Sequence, residues 1–376
     1  MFKLQQVLEF VFKLDRIEKR QALKPYIYSA VFYKFMPHAW ANCRVILKFI
    51  SKFSTPYSPD SHAPKNFIIL VGEEKSKDRR TLVGANLTDG AVDWINRKFR
   101  PINFTVVDSL DEVEVVIPET VLVITYDWLL SGPLASGFRF DIAKIAFSAR
   151  VRNLKIWVML GDTFDQRHLI PASLLVAICG GATILAANTA EEGEKFGLIF
   201  PSGPHLWVYS DANLLEFRSA IPFQERQRLV VLAGSGEIRR INLMNLYSNF
   251  LEHTNWIIKS TNHSLSWADY MSVIKNSQMT ITTCWLQQSH VTGSTNNKNR
   301  LPLNTVTGRV WEGFASGSVV VTNTNSVFDA YGFEPGKHYL VLEESPSEIH
   351  KVFLHTSREL ETIAKLGQDH FFNLLQ

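Results

Sequence analysis

Arg309 and Glu312 stand three residues apart in the segment 307–342, TGRVWEGFASGSVVVTNTNSVFDAYGFEPGKHYLVL. In a helix that spacing places a guanidinium and a carboxylate on one face. A carboxylate can accept hydrogen bonds from two neighbouring hydroxyls, such as those of a ribose, and a planar guanidinium fork can grip a diphosphate. Side by side, the two groups suit the two polar halves of a nucleoside diphosphate. The same spacing also suits an ordinary surface ion pair, which would contribute little.

The elements around the pair are predicted as follows. A short helix carries Arg309 and Glu312, and Gly317 follows at its C-cap. Residues 318–322 then read as a strand, because three consecutive valines suit a parallel sheet covered on both faces. Upstream, strands are expected near 67–71, 104–107, 121–125, 155–160, 183–187 and 206–209, with helices at 90–98, 140–150 and 190–196 between them. A second alternating unit begins near Arg228, with strands at 229–233, 256–259 and 280–283 and a helix at 241–251. Such alternation predicts α/β domains with doubly wound parallel sheets. Residues 287–304 are polar and read as a long loop, and 347–375 as helix.

Further candidate residues sit where these strands end. Gly234-Ser235-Gly236 follows the first strand of the second unit, so its N–H groups can approach a phosphate at the next helix start, with Arg239 and Arg240 just beyond. A hydroxyl acceptor needs a general base in an inverting transfer. Asp162 follows the strand 156–160 and Asp127 follows 121–125, and either is placed for that task. An Asp after a strand also serves as a helix N-cap. His205, in Ser-Gly-Pro-His, reads better as a hinge or surface histidine. Asp162-Thr-Phe-Asp165 lacks Asp-x-Asp spacing and no His/Cys cluster occurs, so no metal site is expected and the arginines become the counter-charges for a leaving diphosphate. No Gly-x4-Gly-Lys-Ser/Thr, His-Glu-x-x-His or Gly-x-Ser-x-Gly is present, which argues against P-loop hydrolase, zincin and serine-hydrolase chemistry.

The run Arg309-Val-Trp-Glu312-Gly-Phe-Ala315-Ser-Gly317, with Phe333-Glu-Pro-Gly-Lys-His-Tyr-Leu340 after it, resembles the donor-binding end of nucleotide-sugar glycosyltransferases of the two-Rossmann (GT-B) kind. It is similar in particular to the "group 1" and spore-maturation-type transferases. The close match is short; a looser match in element order covers residues 62–376. The resemblance implies two Rossmann-like domains facing each other and a metal-independent Leloir hexosyltransferase, with the nucleotide sugar as co-substrate and no cofactor. It implies Glu312 on ribose, Arg309 on phosphate, and Asn304 and Thr307 in the same donor site. Many retaining members carry a second glutamate eight positions upstream, where this chain has Asn304. That departure keeps a catalytically degenerate binding or scaffold protein in play, beside a nucleotide-sugar epimerase of the same fold.

The implied domains are a basic helical extension (1–57), an acceptor domain (62–225), a donor domain (226–345) and a C-terminal helix (346–376) crossing back to the first domain. Residues 54–65, rich in Ser and Pro, read as the linker. The chain of 376 residues is 46% hydrophobic and 20% charged, with net charge +3. That composition fits a globular protein with a large core. Three scattered cysteines give no disulfide or zinc signal. Residues 1–57 alone carry ten Lys/Arg against three Asp/Glu and twelve aromatic residues. Such a segment can lie on an anionic membrane surface or pack on the domain behind it. The expected setting is therefore cytoplasmic, peripheral at the inner membrane face, in cell-surface polysaccharide or glycoconjugate synthesis. The expected partners are a nucleotide-sugar donor and a glycan or lipid-linked acceptor. Nucleic acid is not expected, since no nucleic-acid-binding motif accompanies the basic segment.

Overall fold

The computed structural model describes residues 64–70, 87–107, 112–113, 116–125, 149, 151–152, 154–160, 183–186, 211–233, 238–261, 265–283, 306, 308–324 and 326–376. The chain divides into two compact units, Met1–Ile46 and Leu47–Gln376, and all of these residues belong to the second. The expected extension at 1–57 and the linker at 54–65 lie outside the described residues, apart from positions 64 and 65. So do the expected strand at 206–209, the helix at 190–196 and all but Ala149 of the helix at 140–150.

The first sheet comprises β1 (Asn66–Leu70), β2 (Asn103–Val107), β3 (Thr120–Ile124), β4 (Lys155–Leu160) and β5 (Thr183–Ala186), in the order β2-β1-β3-β4-β5. All four pairings are parallel. β3 is buried along its whole length, as an inner strand of a sheet covered on both faces must be. Helix α1 (Leu87–Phe99) links β1 to β2 and lays Trp94, Ile95 and Phe99 into a core with Phe67 and Trp157.

The second sheet begins after α2 (Asp211–Phe217). Its strands are β6 (Gln227–Ala233), β7 (Ile257–Thr261), β8 (Ser277–Ile281), β9 (Val319–Thr322) and β10 (Leu340–Val341). Helices α3 (Ile238–Leu251), α4 (Trp267–Asn276), α5 (Gly308–Ser316) and α6 (Ser326–Ala330) alternate with them, and α7 (Ser357–Leu374) closes the chain. The strands are again all parallel, in the order β10-β9-β8-β6-β7. Counted from its own first strand, each sheet has the order 2-1-3-4-5. The chain is thus two Rossmann-like α/β domains, built twice on one topology without a repeat in sequence.

Two apolar cores cover the two faces of the second sheet. One holds α2, α4 and α5 against Leu229, Val231 and Val320; the other holds α3 and the first half of α7 against Val230, Leu232, Val319 and Val321. Adjacent residues of one strand therefore point to opposite cores, which is why the valine run 319–321 carries no polar residue. α7 reaches both cores, with Leu360 and Ile363 in one and Phe371 in the other. Its main packing is on α5 and β9 of the second sheet. The expected crossing of this helix to the first sheet rests on the resemblance alone.

Several elements depart from expectation: α2 and α6 were not anticipated, α1 and α3 each start three residues early, and two more departures bear on the site. Helix α4 was not anticipated between the strands near 256–259 and 280–283. β8 starts at Ser277, three residues before the expected start. Ser277 and Gln278 are polar yet buried, because the Ser277 hydroxyl bonds to Ile274 O at 2.8 Å and Gln278 Nε2 to Phe223 O at 3.0 Å. Satisfied side chains of this kind remove the cost of burial and hide the strand from a hydropathy pattern.

Candidate functional site

A helix that joins two parallel strands runs back along the sheet, so its first turn stands at the carboxyl edge of the strands. That edge is where open α/β sheets bind ligands. α4 lies between β7 and β8, and α5 between β8 and β9, so Tyr270 and Arg309, early in their helices, meet Glu312, at the middle of α5, toward that edge.

The sequence fixes α5 tightly. Val310, Trp311, Phe314 and Ala315 turn its apolar face inward, and Trp311 is surrounded by Phe314, Phe328, Tyr331, Phe333 and Phe371 with ring centroids 5.9–6.2 Å away. Gly313 lets the helix approach the sheet, since a Cβ there would stand 2.9 Å from Val320 Cγ2. Gly317, at φ 70°, ends the helix with Ser318 N–H donating to Gly313 O at 3.2 Å and Gly317 N–H to Phe314 O at 3.0 Å. This is the paired-bond pattern of a Schellman cap. Arg226 Nη1 donates to Gly317 O at 2.7 Å and Gln368 Nε2 to Ala315 O at 2.8 Å. A cation at the carbonyl end complements the helix dipole.

On this rigid helix, Arg309 Nη1 donates to both oxygens of Glu312, at 2.7 and 2.9 Å. The Glu312 side chain is 0% exposed and that of Arg309 13%. The Tyr270 hydroxyl donates to Glu312 Oε2, and the Arg309 guanidinium lies over the Tyr270 ring, 4.6 Å from its centroid. Burial, and then the Glu312 charge, hold the Tyr270 phenol well above its usual pKa, so its hydroxyl stays a donor. The pair is therefore not the surface ion pair that its spacing also allowed. A carboxylate taken out of water must be matched by charge and hydrogen bonds, and Arg309 and Tyr270 provide them. The arrangement presents a guanidinium at the edge of the site and a carboxylate directly beneath it.

Of the expected site residues, the structure brings Arg309 and Glu312 together, though as partners of each other. Arg239 and Arg240 lie in the first turn of α3, immediately after the carboxyl end of β6. Gly234, Ser235, Gly236, Asn304, Thr307, Asp127 and Asp162 lie outside the described residues. Tyr270 was missed because its helix was missed. Its signal was the Ser266-Trp-Ala-Asp269 start, where Ser266 Oγ accepts from Asp269 N–H at 3.1 Å as an N-cap. The polar ends of the strands were missed as well: Thr261 closes β7, Thr282 and Thr283 follow β8, and Thr322 closes β9, all buried. Thr261 Oγ1 has no hydrogen-bond partner among the described residues.

A cavity of about 380 Å³ lies elsewhere, lined by Arg228, Trp256, Gln278, His350 and Phe353 among others. Arg228 and Gln278 sit at the starts of β6 and β8, so it opens at the amino edge of the sheet. Topology therefore favours the Arg309–Glu312 edge as the candidate site. Among the described residues no group of three His, Cys, Asp or Glu is placed to hold a metal ion, and no helix is long and apolar enough to cross a membrane.

No protein-family profile matches the sequence, and no curated protein does. Solved structures similar to the chain include HepE of Anabaena in complex with UDP, at 10% identity and TM-score 0.47, covering 83% of this chain and 96% of that one. Another is the UDP-GlcNAc 2-epimerase of Methanocaldococcus jannaschii, at 11% identity and TM-score 0.37, covering 82% and 99%. A third is an α-glucosyltransferase in complex with UDP and a 13-mer DNA, at 8% identity and TM-score 0.40, covering 82% and 93%. A DNA-modifying β-glucosyltransferase is similar to a like degree, at 11% identity and TM-score 0.40. Likenesses this distant concern the fold and assign no activity. They do overturn one expectation: with transferases that hold or modify DNA among the similar structures, nucleic acid is no longer excluded as a partner.

Proposed function

We propose that the chain is a glycosyltransferase that takes a sugar from a nucleoside-diphosphate donor, with the second domain holding the nucleotide. One observation carries the reading: a buried carboxylate and a guanidinium, joined on one helix at the carboxyl edge of a Rossmann-like sheet, within a run similar to the donor motif of GT-B transferases. In this reading Glu312 takes the ribose hydroxyls and Arg309 the diphosphate. The loop at Gly234–Gly236, with Arg239 or Arg240, faces the phosphates. Asn304 and Thr307 line the same donor site.

The transfer breaks the bond between the sugar C1 and the diphosphate oxygen and forms one to an acceptor hydroxyl. Negative charge grows on the departing diphosphate, where the guanidinium and the start of α3 would stabilise it without a metal. In an inverting reaction Asp162, or failing it Asp127, would take the hydroxyl proton. The two domains would close over the donor, as lids and hinged domains do to exclude water. Peripheral placement at the inner membrane face, through residues 1–57, belongs to the same proposal. The net +7 of that segment suits any polyanionic surface.

A thermal-shift titration with UDP, GDP, TDP, ADP and CMP tests the donor site. A ligand that binds the folded chain raises the melting temperature by mass action. Stabilisation by one nucleotide, lost in Glu312→Ala, is the expected result, and no shift with any nucleotide refutes the reading. The corresponding nucleotide sugar is then incubated with a glycan, a lipid-linked saccharide or DNA bearing a hydroxymethylated base, and also without acceptor. Conversion of the sugar with no acceptor present identifies an epimerase instead, and binding without turnover in every mixture a scaffold.

A further inference from the structure

The way Glu312 and Arg309 hold each other bears on how a donor enters. Arg309 Nη1 is within 2.9 Å of both carboxylate oxygens, and Tyr270 donates to Oε2 as well. A carboxylate engaged on both oxygens and closed off from solvent is not presented to a ribose. One of its partners has a way out. Arg309 is the second residue of α5, is partly exposed, and rests on the flat face of the Tyr270 ring. A guanidinium on an aromatic face can turn while keeping that contact. Tyr270 has no such freedom: it is fully buried and packs edge-on against Phe217, with centroids 6.4 Å apart at 83°.

We propose that Arg309 is a latch: it leaves Glu312 for the diphosphate of an entering donor and so opens the carboxylate to the ribose, while Tyr270 holds that carboxylate in place through the exchange. The ribose half rests on the nucleotide reading above; the diphosphate half depends only on Arg309 and Glu312. At the end of the exchange Glu312 is matched by hydrogen bonds in place of its counter-charge. The diphosphate gains the guanidinium, in the bidentate geometry that Arg–phosphate pairs favour. Glu312 gains ribose hydroxyls in its place and keeps the phenol. A nucleoside without phosphates cannot draw Arg309 away, so the two halves of the donor bind as one unit. Tyr270 acts here as a positioning residue.

Isothermal titration of the full chain with inorganic pyrophosphate and with UDP tests the latch, on wild type, Glu312→Gln and Tyr270→Phe. Glu312→Gln keeps the shape and an acceptor for Tyr270 but no longer competes for the guanidinium. It should bind pyrophosphate about tenfold tighter than wild type, the scale of one hydrogen bond to a charged group. Tyr270→Phe keeps the ring but removes one donor from the carboxylate, so Glu312 should hold Arg309 more tightly and pyrophosphate should bind several-fold weaker. Loosening of the fold would weaken both variants, so the opposite signs identify the latch. Unchanged or weaker pyrophosphate binding by Glu312→Gln overturns it. If that variant fails to fold, Tyr270→Phe decides, with its urea midpoint measured beside its affinity: weaker binding at wild-type stability supports the latch, and unchanged binding refutes it. UDP and the other nucleoside diphosphates on wild type report separately. If none binds while the pyrophosphate changes appear, the latch stands and the transferase reading falls.

Discussion

Removing one side of the Arg309–Glu312 pair should destabilise the second domain unequally. Two unit charges about 4 Å apart, at an effective dielectric near 20, attract by about 4 kcal/mol. Glu312 is wholly buried and Arg309 is 13% exposed. Arg309→Met strands the buried partner, and breaking a buried pair in this way costs about 3–5 kcal/mol. Glu312→Gln removes the charge but keeps the shape and the acceptor for Tyr270, and Arg309 can turn toward water. Its cost should be about 1–2 kcal/mol, the scale of exchanged hydrogen bonds. The double variant leaves no buried charge at this pair and should lie close to Glu312→Gln, giving a coupling as large as the Arg309→Met cost, about 3–5 kcal/mol. The assay is urea unfolding at neutral pH, following the transition that responds to these substitutions, since two domains need not unfold together. Repeating it in about 1 M salt should preserve the ranking, because buried pairs are weakly screened. Equal single costs below about 1 kcal/mol that simply add would refute the reasoning. The pair would then behave as surface pairs do, and Glu312 would lose its standing as a buried, positioned carboxylate.

Two other predictions concern what holds α5. Gly367→Ala would place a Cβ 2.4 Å from the His338 carbonyl oxygen and 3.0 Å from Phe314 Cε1. Alanine's helix propensity returns at most about 1 kcal/mol, while overpacking against backbone costs about 1–3 kcal/mol, nearer the upper end where a carbonyl cannot yield, so urea unfolding should show a net loss of about 1–2 kcal/mol, and a variant as stable as wild type refutes the close approach. His338 is buried, its Nδ1 accepts from Glu334 N–H at 2.9 Å, and its ring stacks on His370 at 4.6 Å. Burial, then the neighbouring His370 and Lys337, lower its pKa against the weaker pull of Glu334. A folded pKa below the ordinary 6.5 means that the unfolded chain binds the proton first. Stability from this group is thus complete above about pH 6.5 and falls as pH drops toward the lowered folded value. His338→Asn, which keeps an acceptor for Glu334 N–H, should flatten the decline of melting temperature in that window; an unchanged slope refutes the assignment.

Much of the fold was legible because its strongest signals are local. β4 and β9 fall where they were expected, since an apolar run bounded by polar or glycine residues has few alternatives in a sheet covered on both faces. Gly317 was legible as a cap because a positive φ at a helix end admits few residues. The doubled 2-1-3-4-5 order was not legible, because strand order is set by crossovers that leave no mark on the strands themselves. β8 began too late on paper because Ser277 and Gln278 are buried with their polar groups satisfied by backbone carbonyls.

The site shows the same division more sharply. Spacing alone brought Arg309 and Glu312 to one face, and the structure has them there. Spacing could not show which partner each would take, because that depends on burial, and burial depends on α4 arriving beside α5. Tyr270 is 42 residues from Glu312 in the chain and meets it only through the fold. Its arrival changes the meaning of the motif. An exposed Arg-x-x-Glu would offer two independent contacts to a ligand, and losing either would weaken binding by its own share. A buried Arg-x-x-Glu with a phenol beneath it is one coupled unit, so a ligand must displace an interaction before it makes one. Affinity then measures the difference between two sets of contacts. That difference is why Glu312→Gln is expected to strengthen pyrophosphate binding, a gain that the loss of an independent ribose contact does not produce.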